Sequence, residues 1–159
     1  KNAKGDTVTL YERLKDGPVV MIFYRGGWCP YCSMELYAYE QELDTIKSLG
    51  ASLIAVTPES PDNSLTTVEK NELTFDVLSD TGFEVSDAFG LTFNFPPSLQ
   101  KIYEGFGLNV PETNGDETWR LPIPAAYVIG QDGIIKLHHV DVNYTQRLDP
   151  LDAIAALKA

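Results

Sequence analysis

The chain has 159 residues, of which 43% are hydrophobic and 22% are charged, and its formal net charge is −11. This acidity argues against nucleic acid or an anionic membrane as a partner, because phosphate recognition needs clustered lysine and arginine side chains. The longest apolar run, VVMIFY at residues 19–24, is far shorter than the roughly 20 residues of a membrane span. The composition therefore predicts one globular domain over residues 1–159.

The sequence begins with Lys1 rather than with methionine. We therefore expect that the N-terminal part of the full-length chain is missing, and a targeting segment upstream stays open. Two cysteines do not make a disulfide scaffold. We expect a cytoplasmic location, with the periplasm as the open alternative.

The first predicted elements are two strands. Residues 7–14, TVTLYERL, place Val8 and Leu10 among polar neighbours and predict a short strand that leads into a turn. The continuous apolar run at residues 19–24 predicts a central strand that is buried on both faces.

A helix is predicted to follow Cys29 and to end near Gly50. Pro30 suits its first turn, where the missing N–H costs nothing. Apolar residues recur at spacings of three and four, which places them on one face. The residues expected on this buried face are Cys32, Leu36, Tyr39, Leu43 and Ile46.

The remaining chain alternates strands and helices, with one interruption. Residues 92–121 break the alternation and predict an insertion, with a helix after Pro96 and Pro97 and then a loop. A closing helix is expected from Pro150, capped by Asp149, with Leu151, Ile154 and Leu157 facing inward. The other predicted elements are strands at 52–58 and 75–80, helices at 61–73 and 82–91, and a β-hairpin at 124–141 that turns at Asp132 and Gly133.

This order of elements predicts an α/β fold. Parallel crossovers followed by an antiparallel hairpin and a closing helix indicate a central mixed β-sheet with helices on both faces. The predicted insertion at residues 92–121 precedes the C-terminal hairpin and helix.

The two cysteines, Cys29 and Cys32, lie where a buried strand gives way to a helix. Active sites of open α/β sheets lie at the carboxyl ends of strands, and a helix N-terminus favours an anion such as a thiolate. We therefore expect Cys29 to be a nucleophile of lowered pKa. Cys32 lies nearly one helical turn further on and suits a resolving thiol that closes a reversible disulfide. Arg25 either adds positive charge nearby or is an ordinary surface arginine.

Two other interpretations of the pair are weaker. A zinc site needs about four ligands. His138 and His139 are adjacent in a predicted strand, so their side chains point to opposite faces and cannot readily both join one site with the cysteines. A structural disulfide over so short a loop stabilises little. Glu35 is close enough in sequence to accept a proton, although a first-turn glutamate that complements the helix dipole is simpler. We expect no metal, because the ligands are too few. We also expect no cofactor, since no glycine-rich phosphate loop, which would bind a nucleotide, follows a predicted strand.

The motifs FYRGGWCPYC at residues 23–32, TPESPDNSLTTVEKNELTFDVLSD at 57–80 and LPIPAAYVIGQDG at 121–133 resemble the peroxiredoxin-like branch of the AhpC/TSA family. This resemblance covers nearly the whole chain and implies a thioredoxin-like fold. It also implies a thiol peroxidase that a thioredoxin- or glutaredoxin-type donor reduces.

The resemblance also implies roles for individual residues. Cys29 matches the peroxidatic cysteine and Cys32 the second cysteine of the Cys-x-x-Cys motif. Trp28 matches the tryptophan that commonly precedes this motif in thioredoxins. The motif CPYC, which includes Pro30, is the form familiar from glutaredoxins. Pro124 matches the cis-proline that faces the cysteine pair in thioredoxin folds, so we expect a cis peptide bond there.

The sequence departs from the peroxiredoxin pattern in two places. Gly26 stands where the family carries threonine or serine, and Pro124-Ala125-Ala126 stands where it carries an arginine. Peroxide attack would then depend on backbone N–H groups or on Arg25. Two further hypotheses therefore stay open: a thiol–disulfide oxidoreductase acting on protein or glutathione disulfides, and a redox-inert binding module.

Overall fold

A computed structural model describes all residues from Lys1 to Ala159. The strands are β1 (Val19–Phe23), β2 (Ser52–Thr57), β3 (Asp76–Ser79), β4 (Thr92–Asn94), β5 (Arg120–Pro122), β6 (Ala125–Ile129) and β7 (Ile135–Val140). The helices are α1 (Leu10–Asp16), α2 (Pro30–Gln41), α3 (Leu43–Ser48), α4 (Pro61–Lys70), α5 (Glu84–Ala88), α6 (Pro97–Gly105), α7 (Val110–Asn114) and α8 (Pro150–Lys158). None of the helices combines the length and the hydropathy that a membrane-spanning segment requires.

Five strands form a central mixed sheet in the order β3-β2-β1-β6-β7. β1 pairs in parallel with β2, which in turn pairs in parallel with β3, whereas β6 runs antiparallel to both β1 and β7. β1 is therefore the central strand, and all five of its residues are buried. The predicted α/β fold, with a mixed sheet and a C-terminal hairpin and helix, is confirmed.

The sheet separates two apolar cores, because alternate residues of each strand point to opposite faces. One core contains Val20 and Ile22 of β1, both cysteines, and side chains of α2, α3 and α8. The other contains Val19, Met21 and Phe23 of β1 with Leu14 of α1. Helices therefore cover both faces of the sheet, as the sequence predicts.

The helix after Cys29 has the predicted buried face but is divided in two. Cys32, Leu36, Tyr39, Leu43 and Ile46 are all at most 3% exposed. Glu42, with φ −100° and ψ 4°, separates α2 from α3. Pro30 is the first residue of α2, and Gly50 has the left-handed φ of 77° that favours glycine.

Three sequence-based predictions of local structure were wrong. The strand predicted at residues 7–14 is largely helix α1, because Leu10 and Leu14 are one helical turn apart and pack on the same core. The loop predicted after α6 contains α7, which Asn109 caps by accepting a hydrogen bond from the Glu112 N–H. Leu151 of α8 is 61% exposed, since Ala153 and Ile154 form the inward face instead.

The predicted cis bond at Pro124 is also wrong, because every peptide bond in the chain is trans. The chain passes without a reversal from β5 into β6, and Ile123 donates its N–H to the Leu91 carbonyl oxygen at 2.8 Å. Ala125, directly after Pro124, enters the sheet beside Phe23.

Candidate active site

The cysteine pair lies at the carboxyl end of β1. Residues 24–28 form the loop that leaves the strand, and Cys29 is the N-cap of α2, with its carbonyl oxygen accepting from the Ser33 N–H at 3.1 Å. Both cysteines are buried and carry free thiols. The first turn of α2 points its unpaired N–H groups towards Cys29, which is the arrangement that favours a thiolate.

Two arginines approach the sulfur atoms. Arg25 Nη2 lies 3.4 Å from Cys29 Sγ, and Arg147 Nη2 lies 3.3 Å from Cys32 Sγ and 3.9 Å from Cys29 Sγ. Of the two interpretations of Arg25, the structure supports the one in which it adds positive charge near the cysteine pair. Arg25 is only 6% exposed and is therefore not an ordinary surface arginine. Sequence reasoning missed Arg147 entirely.

The surroundings of the two thiols lower the pKa of Cys29 and raise the pKa of Cys32. The Cys32 thiol, as a hydrogen-bond donor, and the Arg25 charge lower the pKa of Cys29 to about 5, against the opposing effect of burial. Burial and the neighbouring Cys29 raise the pKa of Cys32 well above its ordinary value, and Arg147 opposes this. The geometry therefore gives one reactive thiolate and one protonated partner in the reduced protein.

Arg25 is held from several sides. Its Nη1 donates to the Tyr103 hydroxyl at 3.1 Å, and its guanidinium carbon lies 4.2 Å from the centre of the Tyr144 ring and 5.1 Å from that of Trp28. Trp28 in turn packs edge-on against Tyr103. These contacts fix the charge over Cys29 in a largely water-free setting, where it acts more strongly than it would in water.

Gly26 and Gly27 are required by close packing. A Cβ at Gly26 would overlap the Trp28 indole and crowd the Glu59 carboxylate, and one at Gly27 would overlap the Thr67 hydroxyl. A threonine at position 26 therefore does not fit this loop. The glycine at position 26 matches the packing of Trp28 and Glu59 against the loop, which a larger residue would disturb.

Glu59 supports the same loop from below. Its Oε2 accepts a hydrogen bond from the Gly27 N–H at 3.1 Å, and the side chain is buried. Burial raises the pKa of Glu59 to about 7, while the Gly27 N–H and Thr67 act in the opposite direction. Glu59 is thus a buried carboxyl group next to the cysteine loop that the sequence did not single out.

Glu35 is not the first-turn glutamate complementing the helix dipole that the sequence suggested. It is buried and forms an ion pair with Arg147, because α2 turns residue 35 towards the same side as Cys32. Burial raises the pKa of Glu35 to about 7, and Arg147 opposes this. Glu35 therefore serves Arg147 rather than the helix dipole.

An apolar cavity of about 450 Å³ opens beside Arg25. Residues 92–121 supply one wall through Phe93, Phe95, Leu99 and Tyr103. The opposite wall consists of Ile123, Pro124, Val142 and Tyr144. Pro124 thus lies near Arg25, on the cavity side of the site, as a trans proline.

The residues that the sequence missed come from distant parts of the chain. Tyr103 lies on α6, whereas Tyr144 and Arg147 lie in the loop between β7 and α8. Neither spacing nor periodicity links them to the cysteines, so the sequence offered no signal for them. His139, by contrast, bonds only the Gln146 carbonyl oxygen, at the edge of the sheet.

A thioredoxin-like sheet with a low-pKa cysteine at the start of a helix, followed by a second thiol one turn later, defines the class of thiol redox proteins. The AhpC/TSA family pattern matches residues 1–138, and the chain belongs to this family.

Individual relatives agree with this placement. The chloroplastic peroxiredoxin Q of Sedum lineare is 26% identical over 137 residues, which cover 86% of this chain and 61% of that protein. The thiol-disulfide oxidoreductase ResA of Halalkalibacterium halodurans is 28% identical over 92 residues, covering 57% of this chain and 51% of that protein. The chain therefore spans less than two thirds of the length of either relative.

A solved structure of the bacterioferritin comigratory protein of Xanthomonas campestris superposes with a TM-score of 0.74. The sequence identity is 15%, and the superposition covers 98% of this chain and 87% of that one. The fold is therefore the thioredoxin-like fold of peroxiredoxins.

Proposed function

We propose that the protein is a thiol peroxidase that reduces organic hydroperoxides through Cys29 and Cys32. The observation that carries this proposal is the contact between Arg25 and Cys29 Sγ at 3.4 Å, together with the position of Arg25 in the lining of the apolar cavity. Arg25 thus lies between the Cys29 sulfur and the proposed substrate space, and contacts both. Membership in the AhpC/TSA family and the peroxiredoxin Q relative support the same activity.

In the first step, the Cys29 thiolate attacks one oxygen of the hydroperoxide. An S–O bond forms and the O–O bond breaks, so that Cys29 becomes a sulfenic acid and the alkoxide takes a proton to leave as an alcohol. Arg25 stabilises the charge that moves from sulfur to the departing oxygen, which is the task of the missing threonine and arginine. Its Nε has no partner within the protein and is a further donor beside the reacting atoms.

In the second half of the cycle, Cys32 condenses with the sulfenic acid and releases water. A dithiol donor of the thioredoxin or glutaredoxin type then reduces the disulfide by thiol–disulfide exchange. We further propose that residues 92–121 are an insertion within a single domain and that they shape the substrate space, since four of their side chains line the cavity.

The cavity suggests which hydroperoxides are preferred. Seven of its nine lining residues are hydrophobic. An alkyl or aryl hydroperoxide would bury its apolar part there, whereas hydrogen peroxide would gain nothing from it. Alkyl peroxide reduction is the activity described for the bacterioferritin comigratory protein of Xanthomonas campestris, which shares this fold.

The direct test is turnover by the purified protein with a thioredoxin and thioredoxin reductase system. We expect consumption of cumene hydroperoxide with a higher kcat/KM than that of hydrogen peroxide. Cys29→Ser should abolish turnover, and Cys32→Ser should stop after one equivalent. An absence of Cys29-dependent turnover with every peroxide would exclude the proposal.

A thiol–disulfide oxidoreductase is the second candidate, favoured by the CPYC motif, by Gly26 in place of threonine and by the similarity to ResA. Insulin reduction and exchange with glutathione disulfide would measure this activity. Rates there that exceed those with hydroperoxides would favour this function over the first. A redox-inert protein would show neither activity.

A further inference from the structure

The two arginines divide the sulfur atoms between them. Arg25 hydrogen-bonds Cys29, whereas Arg147 makes its shorter contact, 3.3 Å, with Cys32. Arg25 is therefore the nearer cation to Cys29 and Arg147 the nearer cation to Cys32, although Arg147 also lies 3.9 Å from Cys29 Sγ. In the peroxide step the new bond forms at the Cys29 sulfur, which lies nearer to Arg25, whereas Cys32 forms its new bond only in the later disulfide step.

Each of the three nitrogen atoms of the Arg147 guanidinium has a contact within the protein. Its Nε donates to the Tyr144 carbonyl oxygen at 2.7 Å, its Nη1 is ion-paired with Glu35, and its Nη2 faces the two sulfurs. The Arg147 side chain is 12% exposed and the Glu35 side chain 4%. A buried ion pair is a weak source of stability, and its position 3.3 Å from the Cys32 sulfur points to a chemical task.

We propose that Arg147 is a catalytic residue of the disulfide-forming step and that Glu35 is the positioning residue that holds it. This inference rests on the proposed function and assigns the second half-reaction to its own pair of side chains. Arg147 stabilises the thiolate form of Cys32 at the moment when it attacks the sulfenic sulfur of Cys29.

The order of events follows from charge. While Cys29 is a thiolate, its negative charge and burial together keep Cys32 protonated. A sulfenic acid is neutral, so oxidation of Cys29 removes one of these two effects and leaves the Arg147 cation in place. Cys32 therefore becomes reactive only after Cys29 has been oxidised.

The step balances without an added reagent. The S–S bond forms, the S–O bond of the sulfenic acid breaks, and the thiol proton of Cys32 leaves with the hydroxyl group as water. The Cys32 sulfur is oxidised and the Cys29 sulfur is reduced by the same electron pair.

The first experiment follows one equivalent of cumene hydroperoxide in rapid-quench mixing, with dimedone trapping of the sulfenic acid and mass spectrometry. For Arg147→Met we expect sulfenic acid to form at close to the wild-type rate and disulfide to form on the order of 10²-fold more slowly. Arg147→Lys should recover part of this loss, and Glu35→Gln should show a smaller one. Arg13→Met is the matched control, since Arg13 pairs with Asp76 on the edge strand β3 and should leave both rates unchanged.

A second experiment separates this inference from the peroxidase proposal. Dithiodipyridine converts Cys29 into a mixed disulfide with release of one thiopyridone, and attack by Cys32 then releases the second. Arg147→Met should slow only the second release, whether or not the protein reduces peroxides. A wild-type protein that forms no sulfenic acid but shows this split would contradict the peroxidase function and support the role of Arg147. Equal slowing of both phases, or a wild-type second phase in a folded Arg147→Met variant, would overturn it.

Discussion

The Arg25 guanidinium lies 3.4 Å from Cys29 Sγ and is fixed there by Tyr103, Tyr144 and Trp28. This pair places a permanent cation beside the reacting sulfur, at a point where a peroxiredoxin would otherwise use a hydroxyl group from position 26.

The first prediction concerns this pair. Arg25→Met removes the cation but keeps an unbranched side chain, and it should lower the rate of sulfenic acid formation at neutral pH on the order of 10²-fold. The rate in Arg25→Lys should lie between those of the wild type and Arg25→Met, since lysine keeps the charge but lacks the planar guanidinium. Stopped-flow tryptophan fluorescence, to which Trp28 and Trp119 both contribute, would give the rates. An unchanged rate in Arg25→Met would mean that backbone N–H groups alone activate the peroxide.

The second prediction is a pH profile. Because the pKa of Cys29 is lowered to about 5, alkylation by iodoacetamide should rise between about pH 4 and 6 and stay level above that. An unperturbed thiol would still be gaining reactivity near pH 8.5. The Cys32 thiol is the largest cause of the lowering, so Cys32→Ala should move the midpoint upward, and Cys32→Ser, which keeps a donor, should move it less.

The third prediction concerns Gly26. Gly26→Thr, which introduces the family's residue, should destabilise the fold by about 1–3 kcal/mol and should lower peroxidase activity, because the new side chain displaces Trp28 or Glu59. Urea unfolding would measure the stability change. Gly105→Ala is the control, because a Cβ there meets no atom within 4 Å. Higher activity in Gly26→Thr would show that the loop tolerates a hydroxyl group after all.

The fourth prediction concerns Glu59. Its pKa in the folded protein is raised to about 7, whereas that of an unfolded glutamate is about 4.3. The folded state therefore holds a proton that the unfolded chain releases, and its contribution to stability is present below about pH 4 and lost as the pH rises through 7.

Glu59→Gln stays neutral and can still accept from the Gly27 N–H. As the pH rises from 5 to 8, we expect the free energy of unfolding of the variant, measured in urea, to increase by about 2–3 kcal/mol relative to that of the wild type. Exposed Glu104, changed to glutamine, is the control and should leave the pH dependence as it is. Parallel wild-type and Glu59→Gln curves would show that Glu59 titrates as an ordinary surface carboxyl group does.

The fifth prediction concerns the cavity. Val142 is 83% exposed and lies on the cavity wall, so that Val142→Glu adds a charge at the rim without disturbing a core. We expect a rise in KM of about tenfold for cumene hydroperoxide, with little change for hydrogen peroxide. Ile134→Glu places the same charge on another exposed apolar residue and should alter neither value. Equal effects on both peroxides would mean that the cavity does not hold the substrate.

Local patterns predicted the central elements well. The apolar run of β1, the buried face after Cys29 and the hairpin at Asp132 and Gly133 all follow from spacing and turn chemistry within a few residues. Prediction was wrong where two local interpretations compete, as at residues 7–14, where the same apolar residues suit a strand or one face of a short helix. Pro124 was misjudged because a family feature was expected in a connection that stays extended.

The surroundings of the cysteines were largely beyond prediction. Arg147 lies 115 residues after Cys32 in sequence, and its position depends on how the loop after β7 packs against α2. Glu35 and Glu59 resemble surface carboxylates in sequence, and only tertiary packing buries them. Their altered pKa values follow from that burial, which no local pattern encodes.

The family pattern ends at residue 138, whereas Tyr144 and Arg147 lie beyond it. Tyr144 stacks on the cation that serves Cys29, and Arg147 serves Cys32, so one nine-residue loop between β7 and α8 reaches both sulfurs. The family match therefore gives no account of this loop. A change within residues 141–149 is therefore expected to alter the surroundings of both thiols at once, directly through Arg147 and indirectly through the contact of Tyr144 with Arg25.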